Sequence, residues 1–224
     1  MKTKEVTATN TLDSNGHMLA EMNVVKTAAI TPNGDTSRSP IAKVGDVIEH
    51  PVTGEKMVFL QTGTETNGEL LQIDMFVKPG GFVAAEHVHP FQQERFVVKS
   101  GRITLRIDGQ EQEFTAGEEA TVPPATPHVW WNSGIEELQV VLEFRPAGRF
   151  DRFITSFFAL GQAGKTNAKG VPNLIRYAVI DREYNDVLYP SKPPRAVQKV
   201  IFALLYPLGR LLGYPADNPY LVKK

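Results

Sequence analysis

The sequence contains no cysteine, and this absence excludes several kinds of chemistry at once. Its 224 residues offer no thiol that could form a disulfide, bind a metal ion or attack a substrate. No run of about 18 apolar residues occurs, so the sequence predicts no transmembrane helix. The segment 1–22 also lacks the apolar core of a secretory signal, and we therefore expect a cytoplasmic protein.

Histidine is scarce as well, but three of the five histidines have an informative placement at positions 87, 89 and 128. Side chains at i and i+2 of a strand point to the same face, so His87 and His89 can face a shared point about 6.6 Å apart at Cα. Glu94 follows Pro90, a residue typical of strand interruptions, and a bulge or turn there can bring the carboxylate to the same side. Two imidazoles at this spacing can share one metal ion.

Two motifs surround these residues, and together they resemble the two signatures of the cupin superfamily. The first reads G-x5-H-x-H-x4-E-x6-G from Gly81 to Gly101, and the second reads G-x5-P-x4-H-x3-N from Gly117 to Asn132. The resemblance implies a small β-barrel with one bound metal ion. The implied metal ligands are His87, His89, Glu94 and His128.

The second motif departs from the cupin pattern at one position. Ala125 stands where this motif commonly has glycine. If the turn requires a positive φ, alanine costs about 1 kcal/mol there, without touching a ligand. Asn132 is predicted to cap the turn that it forms with Ser133 and Gly134.

A site of imidazole and carboxylate ligands without sulfur suits one divalent ion of Fe, Ni, Mn, Cu or Zn, and the sequence does not choose among them. With two positions left open, such a centre could hold a substrate together with O2. We therefore expect a metal-dependent oxygenase of the dioxygenase type, with Glu94 as its catalytic residue. A non-redox isomerase, lyase or decarboxylase and a non-catalytic small-molecule binding protein are the open alternatives.

The alternation of side chains along the strands also predicts substrate-binding residues. Trp130 shares the face of His128, while Phe96 and Val98 share the face of Glu94. An apolar, aromatic interior beside a metal ion favours a small apolar or aromatic substrate. The alternative is that these large side chains only fill the barrel.

Short alternating segments are separated by turn signals such as Asn67-Gly68 and Asp108-Gly109, and no helical pattern intervenes before residue 146. This organisation predicts a mainly β fold, a cupin-type antiparallel β-barrel or jelly roll over residues 41–147. Residues 1–40 are polar with little periodicity, which predicts a flexible N-terminal segment.

The apolar period changes to 3.6 after the barrel, which predicts a helical C-terminal extension over residues 148–224. The extension resembles that of uncharacterised bacterial single-domain cupins, and the short stretch RPAGRFDRFITSF is similar to quercetinase-like cupins. Residues 1–145 carry twelve Lys and Arg against twenty Asp and Glu, whereas residues 146–224 carry twelve against five. The basic extension thus suits contact with its own acidic barrel or with a second subunit.

A final helix is predicted from about residue 195, with an apolar face that includes Val200, Leu204 and Leu211. We expect this face to be buried against the barrel or against the partner of a homodimer. Contact with a membrane surface is the less favoured alternative. The basic residues form no aromatic-interleaved patch, so no nucleic-acid partner is expected.

Overall fold

The structure, a computed structural model, describes residues 42–217, and the predicted flexible segment 1–40 lies outside them. Strands dominate the first part of this range and helices the second. The strands are β1 Val47–His50, β2 Glu55–Gln61, β3 Leu71–Val77, β4 His87–Val88, β5 Gln93–Ser100, β6 Arg102–Ile107, β7 Gln110–Thr115, β8 Glu119–Val122, β9 His128–Asn132, β10 Leu138–Arg145 and β11 Tyr189–Pro190. The helices are α1 Phe150–Gln162, α2 Leu174–Tyr184 and α3 Arg195–Leu211.

The strands form two antiparallel sheets that enclose one hydrophobic core. One sheet has the order β1-β2-β3-β10-β5-β8 and the other the order β11-β4-β9-β6-β7. Buried and less buried residues alternate along β3, β9 and β10, as expected for strands with one face toward a core. Phe59 and Phe96 of the first sheet and Leu105 of the second belong to the same core. The predicted jelly-roll fold with a helical extension is confirmed.

Local backbone signals fix several of the connections. Asp108 and Gly109 both adopt positive φ angles, 47° and 78°, as the predicted tight hairpin between β6 and β7 requires. Ala125 has a φ of 60°, so the strain that the sequence predicted for this turn is present. Asn132 accepts a hydrogen bond from the Gly134 N–H at 2.9 Å, which confirms its turn-capping role.

The extension is continuous with the barrel in both its sheet and its core. Strand β11 pairs antiparallel with β4, so that Tyr189 lies opposite Val88 and Pro190 opposite His87. Phe153 and Phe158 of α1 belong to the barrel core. The extension therefore packs on the part of the barrel that carries the predicted ligands.

Helix α3 differs from the sequence-based expectation. Its predicted apolar face is exposed, with Val200 at 62%, Leu204 at 74% and Leu211 at 84% accessibility. The helix instead packs on α2 through a face that includes Phe202 and Gly209, and a Cβ at Gly209 would lie 2.4 Å from a methyl group of α2. This close approach turns the apolar face away from the barrel.

The prediction that this face of α3 is buried against the protein's own barrel is therefore wrong. The homodimer contact and the membrane-surface contact stay predictions. No helix between residues 42 and 217 combines the length and the hydropathy that crossing a membrane requires.

Candidate metal centre and its cavity

The four predicted ligands converge at one point inside the barrel. In the pairing of β4 with β9, His87 lies directly opposite His128. His89 follows β4, and a bend at Pro90 lets the chain enter β5, from which Glu94 points inward. One ligand atom from each residue lies within 4.8 Å of the others, and all four side chains are buried. These residues are positioned to bind a metal ion.

Backbone carbonyl groups fix the orientation of all three imidazole rings. The Nδ1–H of each ring donates to a carbonyl oxygen at 2.8 to 3.0 Å. Because a carbonyl oxygen can only accept, Nδ1 carries the hydrogen and Nε2 presents its lone pair to the centre of the cluster. Such outer hydrogen bonds orient metal-binding histidines in known metal sites. The pairs are His87 with Ala85, His89 with Val187 and His128 with Thr126.

The arrangement of donor atoms fits a cation. Oε2 of Glu94 lies 2.9 Å from Nε2 of His128 and 3.4 Å from Nε2 of His89. The buried Nε2 of His89 has no hydrogen-bond partner among the described residues. When the rings are neutral, their lone pairs and the buried carboxylate surround a position that suits a positive charge, and a divalent ion with mixed nitrogen and oxygen ligation supplies it.

The electrostatics of the cluster favour an ionised Glu94 and a neutral His87, as metal binding requires, but not a neutral His128. Burial would raise the pKa of the Glu94 carboxyl, but the contacts of its Oε2 with Nε2 of His128 and Nε2 of His89 hold that pKa well below its usual range. Burial, together with the neighbouring histidines, lowers the pKa of His87 well below its usual value. Burial also lowers the pKa of His128, but the Glu94 carboxylate raises it by more. A proton on His128 therefore competes with a metal ion for the same place.

A cavity of about 430 Å³ opens onto His87 and Glu94. Its walls come from both the barrel and the extension, and most of them are apolar or aromatic. A few polar groups in such walls are typical of small-molecule sites. The barrel contributes Met57, Val83, Trp130 and Leu142, and the extension contributes Phe150, Phe153, Ile154, Phe157, Tyr177 and Phe202.

The predicted substrate-binding residues divide between the cavity and the core. Trp130 lines the cavity, whereas Phe96 and Val98 are fully buried in the core and do not line it. At about 3.3 Å per residue, β5 carries these two side chains progressively away from Glu94. Phe96 lies between Leu142 of β10 and Ala120 of β8, so the structure shows it as a packing residue, and substrate binding by Phe96 and Val98 stays a prediction.

Glu55 is a cavity residue that the sequence analysis missed. It lines the cavity, is only 5% exposed and accepts a hydrogen bond from the Thr53 hydroxyl at 2.6 Å. Burial raises the pKa of Glu55 to about 8, the Thr53 hydrogen bond opposes this shift, and the nearby charge of Glu94 adds to it. Glu55 and Met57 share a face of β2, and this alternation was the available signal.

The extension also supports the metal centre directly, which local sequence patterns did not reveal. The carbonyl oxygen that orients His89 belongs to Val187, 98 residues further along the chain. The Phe150 ring lies 5.5 Å from the His89 ring and stacks on Phe144 at 4.0 Å. The segment that joins β10 to α1 is held by Gln92, whose side-chain amide donates hydrogen bonds to the Pro146 and Ala147 carbonyls.

The chain is similar to several solved structures. No curated protein matches the chain. Among solved structures, an RmlC-like cupin from Shewanella frigidimarina is 22% identical with a TM-score of 0.41, covering 47% of this chain and 86% of that one. A predicted oxalate decarboxylase from Thermotoga maritima is 19% identical with a TM-score of 0.40, covering 41% and 80%. Such low TM-scores support no argument about activity.

The family comparison falls on the part of the chain that carries the candidate centre. The model of the Cupin domain family matches residues 73–143. This range includes both motifs' histidines and Glu94, and it spans strands β4 to β9 completely. Over residues 73–143, this match confirms the resemblance to cupins that the two motifs predicted.

Proposed function

We propose that the protein is a metal-dependent oxygenase of the dioxygenase type that acts on a small apolar or aromatic molecule. The observation that carries this proposal is the position of the four-residue cluster at the wall of an aromatic cavity. A substrate in that cavity contacts the centre on one side and the extension on the other. A divalent ion held by the cluster would supply Lewis acidity and, if redox active, one-electron chemistry.

The protein's own residues prepare this site before any substrate arrives. Backbone carbonyls hold the three imidazoles in one tautomer, so no rearrangement of the rings is required. Glu94, which we propose as the catalytic carboxylate, remains ionised because His128 donates a hydrogen bond to it when His128 is protonated. The aromatic side chains of α1 exclude water and offer flat surfaces to an aromatic ring.

The lining favours an uncharged substrate. The carboxyl groups of Glu55 and Glu94 face the cavity, and the only cationic side chain among its lining residues within 42–217 is the exposed Lys192. Away from the metal centre, a buried anion would therefore meet no compensating charge from the cavity's side chains, and its desolvation there would go uncompensated. Binding energy must come mainly from apolar contact with the walls.

The test is the metal content of protein purified without chelators, combined with oxygen uptake on flavonols and other enolisable aromatic compounds. We expect stoichiometric iron, nickel or copper and oxygen uptake, both lost in His87→Ala. The matched control is His50→Gln, because His50 is equally buried but lies outside the cluster. A wild-type protein that binds no metal even after reloading would exclude the proposal and leave a non-catalytic binding protein.

A non-redox isomerase, lyase or decarboxylase is the second candidate. Glu55 favours it, since a neutral carboxylic acid in the same cavity is suited to proton transfer. Stoichiometric manganese or zinc, with turnover of a substrate and no oxygen uptake, would establish this candidate over the oxygenase.

A further inference from the structure

Glu55 is a buried polar group that the metal centre does not use. It lies in the first position of β2, opposite Val77 of β3, and it is not part of the ligand cluster. Within residues 42–217 its carboxyl has one hydrogen-bond partner, the Thr53 hydroxyl, which occupies Oε2. Burying a carboxyl group costs free energy, and the single hydrogen bond from Thr53 does not offset that cost.

Thr53 is itself held in place, so it presents its hydroxyl to Glu55 in a fixed position. Its backbone N–H is 3.3 Å from Nδ1 of His50, which accepts there, and its carbonyl accepts from the Phe82 N–H at 3.1 Å. Thr53 is 1% exposed. The hydroxyl donates to the carboxyl, which leaves the other carboxyl oxygen, Oε1, to interact with whatever fills the cavity.

We propose that Glu55 is a second recognition point of the cavity, at which its carboxylic acid donates a hydrogen bond to a neutral carbonyl oxygen of the ligand. The inference rests on the proposed function only in taking this cavity as the substrate site. It narrows the substrate class to largely apolar molecules that carry an uncharged carbonyl group away from the part that meets the metal centre.

The chemistry of the surroundings supports a donor at this position. Met57, Val83 and Trp130 form the nearby barrel wall and offer little to a carbonyl oxygen. An unpaired carbonyl buried among them would lose the hydrogen bonds that it makes in water. The carboxylic acid replaces such a bond.

The donor role depends on the protonation of Glu55, whose pKa is raised to about 8 by burial. Other titratable groups line the same cavity, and the effect of their titration must be distinguished from that of Glu55. These are His87 of β4, Glu94 of β5, Tyr177 of α2 and Lys192 before α3. Glu55→Gln separates them, because an amide keeps a donor at this position and does not titrate.

The experiment compares acetophenone with ethylbenzene, which has a similar size and shape but no carbonyl oxygen. Binding of each to the purified full-length protein, with and without chelator treatment, is followed by calorimetry at pH 6. We expect Glu55→Leu to lower the ratio of acetophenone affinity to ethylbenzene affinity about tenfold, the contribution of one hydrogen bond. Glu55→Gln retains most of the ratio.

The control is Phe91→Ala, which leaves the ratio unchanged because Phe91 is exposed and does not line the cavity. In the wild type, the ratio falls when the pH is raised from 6 to 9, and in Glu55→Gln it does not. An unchanged ratio in Glu55→Leu, or a wild type that binds no acetophenone, would overturn the inference.

The outcome is separable from that of the proposed function. If the ratio of the two affinities depends on Glu55 but the protein binds no metal and takes up no oxygen, the recognition point is kept and the oxygenase is rejected. If the protein takes up oxygen but its ratio of acetophenone affinity to ethylbenzene affinity does not depend on Glu55, the oxygenase is kept and the recognition point is rejected.

Discussion

The barrel and the helical extension contribute to the same site in different ways. The barrel supplies all four candidate ligands from strands that face one another, and local motifs in the sequence mark each of them. The extension supplies no ligand, but it provides the carbonyl group that orients His89 and most of the aromatic cavity wall. Under the proposed function, the barrel would determine where a metal ion binds, and the extension would determine which molecules reach it.

The largest expected effect separates ligand residues from other buried histidines. His87→Ala removes one of four donors, so metal affinity falls by more than the 10–100-fold that loss of an outer hydrogen bond costs. His50→Gln, the control, leaves metal affinity unchanged, because His50 packs against Phe158 and lies outside the cluster. Calorimetric titration with Zn²⁺ and Mn²⁺ measures both. Equal losses in the two variants would show that the barrel does not define the site.

The second effect concerns Glu55, which both regions bury. The unfolded chain releases this proton near pH 4.5, whereas the folded protein holds it until about pH 8. Stability therefore falls as the pH rises through this window, by up to about 3 kcal/mol between pH 5 and pH 7. Urea unfolding of wild type and Glu55→Gln at both pH values measures the difference. If the free-energy gap between the two proteins stays constant with pH, Glu55 is not held as a neutral acid.

A third prediction tests the role of the extension alone. Phe157→Ala removes one aromatic wall residue of α1 that stacks near Phe153 at 5.7 Å. Affinity for an aromatic probe such as ethylbenzene falls about tenfold, because apolar contact area is lost, and metal affinity does not change. The matched control is Phe91→Ala, since Phe91 is 68% exposed. A loss of metal binding in Phe157→Ala would mean that the two roles are not separate.

The smallest effect is confined to a barrel turn. Ala125→Gly relieves the positive φ of 60° and raises the free energy of unfolding by about 1 kcal/mol or less. Chemical denaturation measures it, and metal affinity stays as in the wild type. If the glycine variant is less stable than the wild type, the extra conformational entropy that glycine gives the unfolded chain outweighs the strain that it relieves in the turn.

Local patterns in the sequence were sufficient for most of the barrel. The H-x-H spacing, the interruption at Pro90 and the Asp108-Gly109 turn each depend on a few consecutive residues, and the structure follows them. The strand alternation placed Trp130 in the cavity correctly. Phe96 and Val98 point inward as the alternation predicted but lie in the core and not at the cavity wall, because alternation gives the face of a strand but not the depth along it.

The contributions of the extension could not be predicted in the same way. The contact between Val187 and His89 joins residues 98 positions apart, and no periodicity encodes which carbonyl reaches which ring. The amphipathic pattern of α3 identified an apolar face, but the close fit of Gly209 against α2 determined that this face points outward. Glu55 was missed since a charge beside a turn is usually exposed to solvent.

The most direct test of the account is a crystal structure of the protein soaked with Mn²⁺, with an anomalous difference map. The account predicts one strong peak within about 2.0–2.3 Å of Nε2 of His87, His89 and His128 and of a Glu94 oxygen, at the wall of the aromatic cavity. A peak bound through Nδ1, a peak elsewhere on the protein or no peak at this cluster would contradict it.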